Sequence, residues 1–235
     1  IAAYTLAKKY NLNIAFLHNS ESSSKYEAFK HLVREPTTNC ITIQEESYTY
    51  HPLPELDPNR DYIMSGYYQS YRYSTPELLQ EIREQLCPRN TKVLKQTTQN
   101  KVMLHLRRGD YLVATMHVLQ PDEYYSRSLK HLIDDPTKHT VYVFSDDIPY
   151  AKTWSVLTNY QCIFVDEDVE DSFWAMTLCD DFIISSSSYS LTAYLLREKT
   201  TARVCCPSKW LTNVGPTYKI SDLIDITNTN VTIIP

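Results

Sequence analysis

Apolar residues recur along this chain in short runs separated by polar, helix-like stretches. In the second half the alternation is regular. VMLHL (102–106), TVYVFS (140–145), QCIFV (161–165), DFIIS (181–185) and ARVCCP (202–207) each predict a buried strand. Residues 121–133, 148–158, 171–179 and 189–198 lie between them and predict helices. A βαβα order of this kind predicts an α/β fold: a doubly wound parallel sheet with helices on both faces. The first half is less regular. Residues 1–10 and 24–34 predict helices; LNIAFLH (12–18), CITIQ (40–44) and YIMSGY (62–67) predict strands. TPELLQEIREQL (75–86) predicts a helix with Thr75 as its N-cap and Pro76 in its first position. Leu78, Leu79, Ile82 and Leu86 then share one face. The polar stretch 87–100 carries a proline and no period, and predicts a linker. Two lobes follow from this, 1–95 and 96–235.

Composition narrows the chemistry. With 235 residues, 43% hydrophobic and 22% charged, the chain is long enough for one large or two small cores. No apolar run approaches the ~20 residues of a membrane span. The net charge of -5 disfavours a nucleic-acid partner. Glycine occurs only three times, at Gly66, Gly109 and Gly215. Dinucleotide fingerprints and phosphate loops need at least two glycines a few residues apart, so neither is present. The six cysteines form no C-x-x-C pair, and Cys40, Cys162, Cys179 and Cys205 sit in or beside apolar runs, as buried free thiols do.

Ligands of open parallel sheets bind beyond the carboxyl ends of the strands. Three turns therefore matter. The first is His105-Leu106-Arg107-Arg108-Gly109-Asp110-Tyr111, in which two guanidinium forks leave a strand together. They suit phosphate oxygens, or alternatively a solvated Arg–Asp cluster. The second, Ser145-Asp146-Asp147-Ile148-Pro149, reads as a helix cap at Ser145 or Asp146, or as a carboxylate for a ribose or base. The third, Ser185-Ser186-Ser187-Ser188-Tyr189-Ser190, reads as a cap or as a phosphate site at a helix N-terminus. Together they describe an anion pocket of diphosphate size. The acidic run at Asp166, Glu167, Asp168, Glu170 and Asp171 reads mostly as a solvated face.

HLRRGDY resembles the H-x-R-R-x-D motif of the inverting α-1,2-fucosyltransferases, shared more loosely with α-1,6- and protein O-fucosyltransferases. Other segments agree in order. IAAYTLAKKYNLN (1–13) resembles the helix after the family's G-L-G-N-Q loop, and SGYYQSYRY (65–73) its G-Y-x-Q-S segment. VFSDDIPYAK (143–152), LCDDFIISSSSYS (178–190) and CPSKWL (206–211) resemble its F-S-D-D, I-S-N-S-T-F-S and P-x-x-W segments. The resemblance implies a GT-B-like fold with two Rossmann-like lobes, GDP-fucose as donor, a glycan acceptor and no metal or other cofactor. It implies that Arg107 grips the β-phosphate and leaving oxygen, with His105 and Arg108 in support. Ser187, Ser188 and Tyr189 complete the pyrophosphate pocket, Asp146 and Asp171 are the carboxylates on the nucleotide side, and Asp110 acts as base or orients the arginines. Tyr67, Tyr68 and Gln69 fall on the acceptor side. The family's first strand and glycine loop are expected upstream of Ile1. Leu191-Thr192 stands where the family has Trp-Trp. That departure keeps open another donor, such as UDP-xylose, and a non-catalytic glycan- or nucleotide-binding module. A sugar-nucleotide hydrolase ranks last, for want of a metal cluster or paired nucleophile.

Overall fold

The computed structural model describes residues 1–17, 33–34, 39–87 and 99–235. The chain forms two compact units, Ile1–Leu86 and Cys87–Pro235. The boundary expected at residue 95 and most of the helix expected at 24–34 lie outside the described residues.

In the first unit, helix α1 (Ala2–Tyr10) stops at Asn11, which takes the left-handed conformation (φ 53°). There the amide of Leu12 donates to the carbonyl of Ala7, closing the last turn. Strands β1 (Phe16–Leu17) and β2 (Val33–Arg34) pair in parallel, as do β3 (Ile41–Gln44) and β4 (Tyr62–Ser65). Helix α2 (Pro76–Leu86) starts as expected: Thr75 Oγ1 accepts the amide of Leu78 at 3.3 Å. Tyr4 and Lys8 of α1 both reach Glu81 of α2, joining the two helices.

The second unit carries the regular alternation. In chain order it runs β5 (Asn100–Leu106), α3 (Asp122–Leu132), β6 (His139–Ser145), α4 (Ile148–Thr153), β7 (Cys162–Val165) and α5 (Val169–Thr177). It continues with β8 (Asp181–Ile183), α6 (Ser188–Leu195), β9 (Val204–Pro207), α7 (Ile220–Leu223) and β10 (Val231–Ile234). Six parallel strands lie in the order β10-β9-β8-β5-β6-β7. The chain builds outward from β5 through β6 to β7, then returns to β5's other side with β8. This is the doubly wound Rossmann order, and the crevice at its reversal lies between β5 and β8. The α/β class with parallel strands in both units agrees with the GT-B-like expectation.

The central strands are buried on both faces, which explains why they read as unbroken apolar runs. Val102, Leu104, Val141 and Val143 pack with Tyr124 and Leu129 of α3. Alternate residues Met103, Tyr142 and Phe182 are equally buried. Each large apolar side chain hidden this way contributes roughly 1.5–3 kcal/mol.

Three expectations are corrected. The helix expected over 148–158 ends at Thr153, because the backbone leaves helical geometry at Trp154 (ψ 118°). The indole there packs on Tyr125 at 4.9 Å and donates to Asp122 Oδ1 at 3.0 Å. Strand β10 was not expected; its four-residue VTII run is too short to stand out, and only pairing with β9 identifies it. Cys40 and Cys162 are half-buried rather than buried, whereas Cys179, Cys205 and Cys206 are fully buried.

Candidate active site

The site begins with strand register. Leu106, the last residue of β5, lies opposite Ser145, the last residue of β6. The next residues, Arg107 and Asp146, therefore leave the sheet side by side. Arg107 Nη1 contacts Asp146 Oδ2 at 2.9 Å, and Asp146 Oδ1 accepts the amide of Arg108 at 2.8 Å. Arg107 Nη2 also donates to Asp110 Oδ1 at 2.6 Å. Its guanidinium lies 5.3 Å from the centre of the Tyr111 ring. Tyr111 stacks on His117 at 4.4 Å and donates its hydroxyl to the carbonyl of Ser186.

Arg108 turns the other way. Its Nε donates to Asp147 Oδ2 at 3.1 Å, and its guanidinium covers the Tyr150 ring at 3.4 Å. Asp147, rather than Ser145 or Asp146, is the N-cap of α4: it accepts the amide of Tyr150. The hydroxyl of Ser145 accepts the amide of Asp147. With Asp147 holding the helix, Asp146 is left to face Arg107.

His105 lies one residue inside the sheet and is buried (4% exposed). Its Nδ1 pairs with Ser185 Oγ at 2.8 Å across the β5–β8 crevice. Burial first, and then the nearby charge of Arg107, push its pKa down to about 3. His105 is therefore a neutral brace between the first and third turns. This carries a pH prediction. The unfolded chain binds a proton near pH 6.5 that the folded chain refuses until about pH 3, so stability falls as pH falls through that window. The expected slope from this group is about 1.4 kcal/mol per pH unit. Thermal denaturation at pH 7, 6 and 5 should show a steeper loss for wild type than for His105→Gln. Equal slopes would remove His105 as the source.

The serine run divides its work. Ser186 Oγ donates to the carbonyl of Val118, and Ser187 Oγ caps α6 by accepting the amide of Tyr189. Ser188 is exposed at the first position of the helix. Tyr189 donates its hydroxyl to the carbonyl of Val169 at 2.6 Å, tying the start of α6 to the start of α5. Asp171 lies in that first turn of α5, exposed, with its amide donated to the capping carboxylate of Asp168. His105, Arg107, Arg108, Asp110, Asp146, Ser187, Ser188 and Tyr189 thus gather at the carboxyl edge of β5, β6 and β8. Leu191 of the altered Leu191-Thr192 pair is 1% exposed and belongs to the core.

Tyr67, Tyr68 and Gln69 belong to the first unit and form a strained turn. Gly66 (φ 145°) and Tyr68 (φ 46°) both have positive φ, and the carboxylate of Glu45 accepts the amides of Tyr67 and Tyr68. A Cβ on Gly66 would lie 2.3 Å from Glu45 Cβ, which is why glycine stands there. Tyr67 is 67% exposed. Tyr68 and Tyr73, with Glu46, His51 and Pro52, line a cavity of about 340 Å³.

Sequence reasoning passed over Asp147, Tyr150 and Ser185. The signal for Asp147 was available, since it directly precedes the Ile148-Pro149 opening of α4. Tyr150 and Ser185 lie in segments the sequence singled out, but nothing local gave their partners, which lie 42 and 80 residues away in sequence. Among the described residues no group of three or more His, Cys, Asp or Glu is arranged to hold a metal ion.

Two curated relatives, both from Escherichia coli, share sequence with the chain. The O-antigen biosynthesis glycosyltransferase WbnK is 29% identical over 122 residues, 47% of this chain and 39% of its own length. An α-1,2-colitosyltransferase is 27% identical over 176 residues, 62% of this chain and 60% of its own length. The chain thus spans less than two thirds of either relative. Among solved structures, the E. coli ADP-heptose lps heptosyltransferase II aligns with 59% of this chain and 39% of its own at 12% identity and a TM-score of 0.35, a likeness too slight to decide anything about the fold. The family match is broader: residues 32–211, more than half of the 235, fit the profile of one family across the arginine turn, the acidic pair and the serine run. The chain belongs to glycosyl transferase family 11.

Proposed function

We propose that this chain is an inverting glycosyltransferase that moves fucose from GDP-fucose to a sugar hydroxyl of a glycan. The observation that carries the reading is the placement of Arg107 at the carboxyl edge of the sheet, over the ring of Tyr111, whose hydroxyl bonds the carbonyl of Ser186 just before the Ser187 cap of α6. That end of the helix and the guanidinium fork both favour a diphosphate. The acceptor oxygen bonds to the anomeric carbon as the bond from that carbon to the phosphate oxygen breaks. The electron pair leaves on the β-phosphate, where Arg107 stabilises it. The acceptor's proton passes to a base, and Asp110 is the carboxylate of the motif turn with the greatest exposure. The cavity of the first unit, lined by Tyr68 and Tyr73, suits the flat face of a sugar and serves as the acceptor side. The reading is of a metal-independent transfer, in which the Arg107 fork, once a phosphate oxygen replaces Asp110, and the N-terminus of α6 meet the diphosphate.

Calorimetric titration with GDP, UDP, dTDP and ADP tests the donor site. GDP alone should bind, and GDP-fucose should then be turned over with a glycan acceptor, in EDTA as well as without it. Because one relative is named a colitosyltransferase, the colitose donor is the second sugar to try. Binding of UDP in place of GDP moves the donor to a UDP-sugar. Binding without turnover on any acceptor points to a glycan- or nucleotide-binding module. No binding by any nucleotide overturns the donor site.

A further inference from the structure

Both carboxylates of the acidic pair after β6 reach the arginine turn. Asp147 holds Arg108 and caps α4. Asp146 accepts the backbone amide of Arg108 on one oxygen and the side chain of Arg107 on the other. One carboxylate thus fixes both where the turn runs and where the Arg107 fork points. Gly109 completes the arrangement. It does not have a positive φ, so backbone freedom is not what requires glycine there. The reason is space: a Cβ on residue 109 would lie 2.5 Å from Asp146 Oδ2 and 3.1 Å from its Cγ. Any side chain at 109 pushes on the oxygen that holds Arg107, and that oxygen cannot swing away without releasing it.

We propose that Asp146 is a positioning residue that aims Arg107 at the donor diphosphate, and that Gly109 is glycine to leave room for that carboxylate. The inference rests on the donor-site reading above. It assigns a task to Asp146 other than contact with the ribose or base, and a reason for Gly109 other than close approach to phosphate.

The test is a set of GDP titrations on the 235-residue chain, with the melting temperature of each variant recorded. Asp146→Asn keeps the size and one acceptor for the Arg108 amide but loses the charge that holds Arg107. It should weaken GDP binding about tenfold with little change in melting temperature. In an Arg107→Ala background the same substitution should cost nothing further, because the group it aims is gone. A purely structural role for Asp146 would weaken binding by the same factor in both backgrounds and would overturn the proposal. Gly109→Ala should also weaken GDP binding about tenfold in the wild-type chain. Combined with Asp146→Ala, which removes the clashing oxygen, it should add less than twofold. An equal cost of Gly109→Ala in both backgrounds overturns the pairing. Failure of the wild type to bind any nucleoside diphosphate overturns the donor-site reading and the role of Asp146 with it, whereas binding by the wild type with additive variants overturns this inference alone.

Discussion

Arg107→Ala is expected to reduce transfer by at least 10²–10³-fold, the usual cost of removing one donor from a developing oxyanion, about 2.7–4 kcal/mol. The size of the effect follows from the lack of a substitute. Arg108 is turned away, paired with Asp147 and stacked over Tyr150. His105 is neutral and bonded to Ser185. Arg107 is the guanidinium of the turn held over Tyr111, which bonds the backbone just before α6. The fold should survive, since its side chain is 33% exposed and lies beyond the end of the sheet. Arg107→Lys should fall between wild type and alanine. A single ammonium cannot match the planar fork that meets Asp110 and Asp146 together. Steady-state rates with GDP-fucose and a glycan acceptor, beside melting temperatures, check this. A variant that unfolds, or one that transfers at the wild-type rate, would count against the assignment.

Asp110→Asn is expected to move binding and transfer in opposite directions. The motif turn sets two guanidiniums against three carboxylates, Asp110, Asp146 and Asp147. As it stands it has no surplus positive charge for a diphosphate. Asp146 and Asp147 are 24% and 32% exposed and each also accepts a backbone amide. Asp110 is 59% exposed, and its bond to Arg107 Nη2 is the one a phosphate oxygen can most readily replace. Removing its charge should tighten GDP binding a few-fold, a modest gain because an exposed ion pair is screened by water. Transfer should fall by roughly 10²–10⁴-fold if the released carboxylate takes the acceptor's proton. The two roles are linked: the donor that takes Arg107 from Asp110 frees the base. Calorimetry with GDP and single-turnover transfer with GDP-fucose separate them. Weaker GDP binding with unchanged transfer would show that Asp110 only braces the arginine.

Much of the second unit was legible before the structure. The ranges 161–165, 181–185 and 202–207 contain the observed strands, and 102–106 and 140–145 miss only the first two residues of β5 and the first of β6, because both faces of a central parallel strand are buried and the apolar run is unbroken. In the first unit the expected helices 1–10 and 75–86 and strands 40–44 and 62–67 also hold the observed elements, though the strands gave a weaker signal. Its strands β3 and β4 are short, exposed or half-buried, and give little contrast with their surroundings. The arginine turn and the serine run stood out as polar residues directly after apolar runs, and the family motifs named them.

By itself, then, the sequence determined the alternation of strands and helices, the parallel class, and which polar turns lie at the carboxyl edge of the sheet. These depend on periodicity and on neighbours a few residues apart. The tertiary structure decided which charge each residue meets. Strand order brings Asp146 beside Arg107 and Ser185 beside His105, and no local pattern encodes an order that reverses between β5 and β8. It turned Asp147 into the helix cap, made His105 a neutral brace, placed Leu191 in the core, and gave Gly109 its reason in the side chain of a residue 37 positions away. The physical cause is the same in each case. Hydrophobic burial acts on every strand separately and leaves its mark in the sequence, whereas hydrogen bonds and ion pairs at a sheet edge depend on which strands become neighbours.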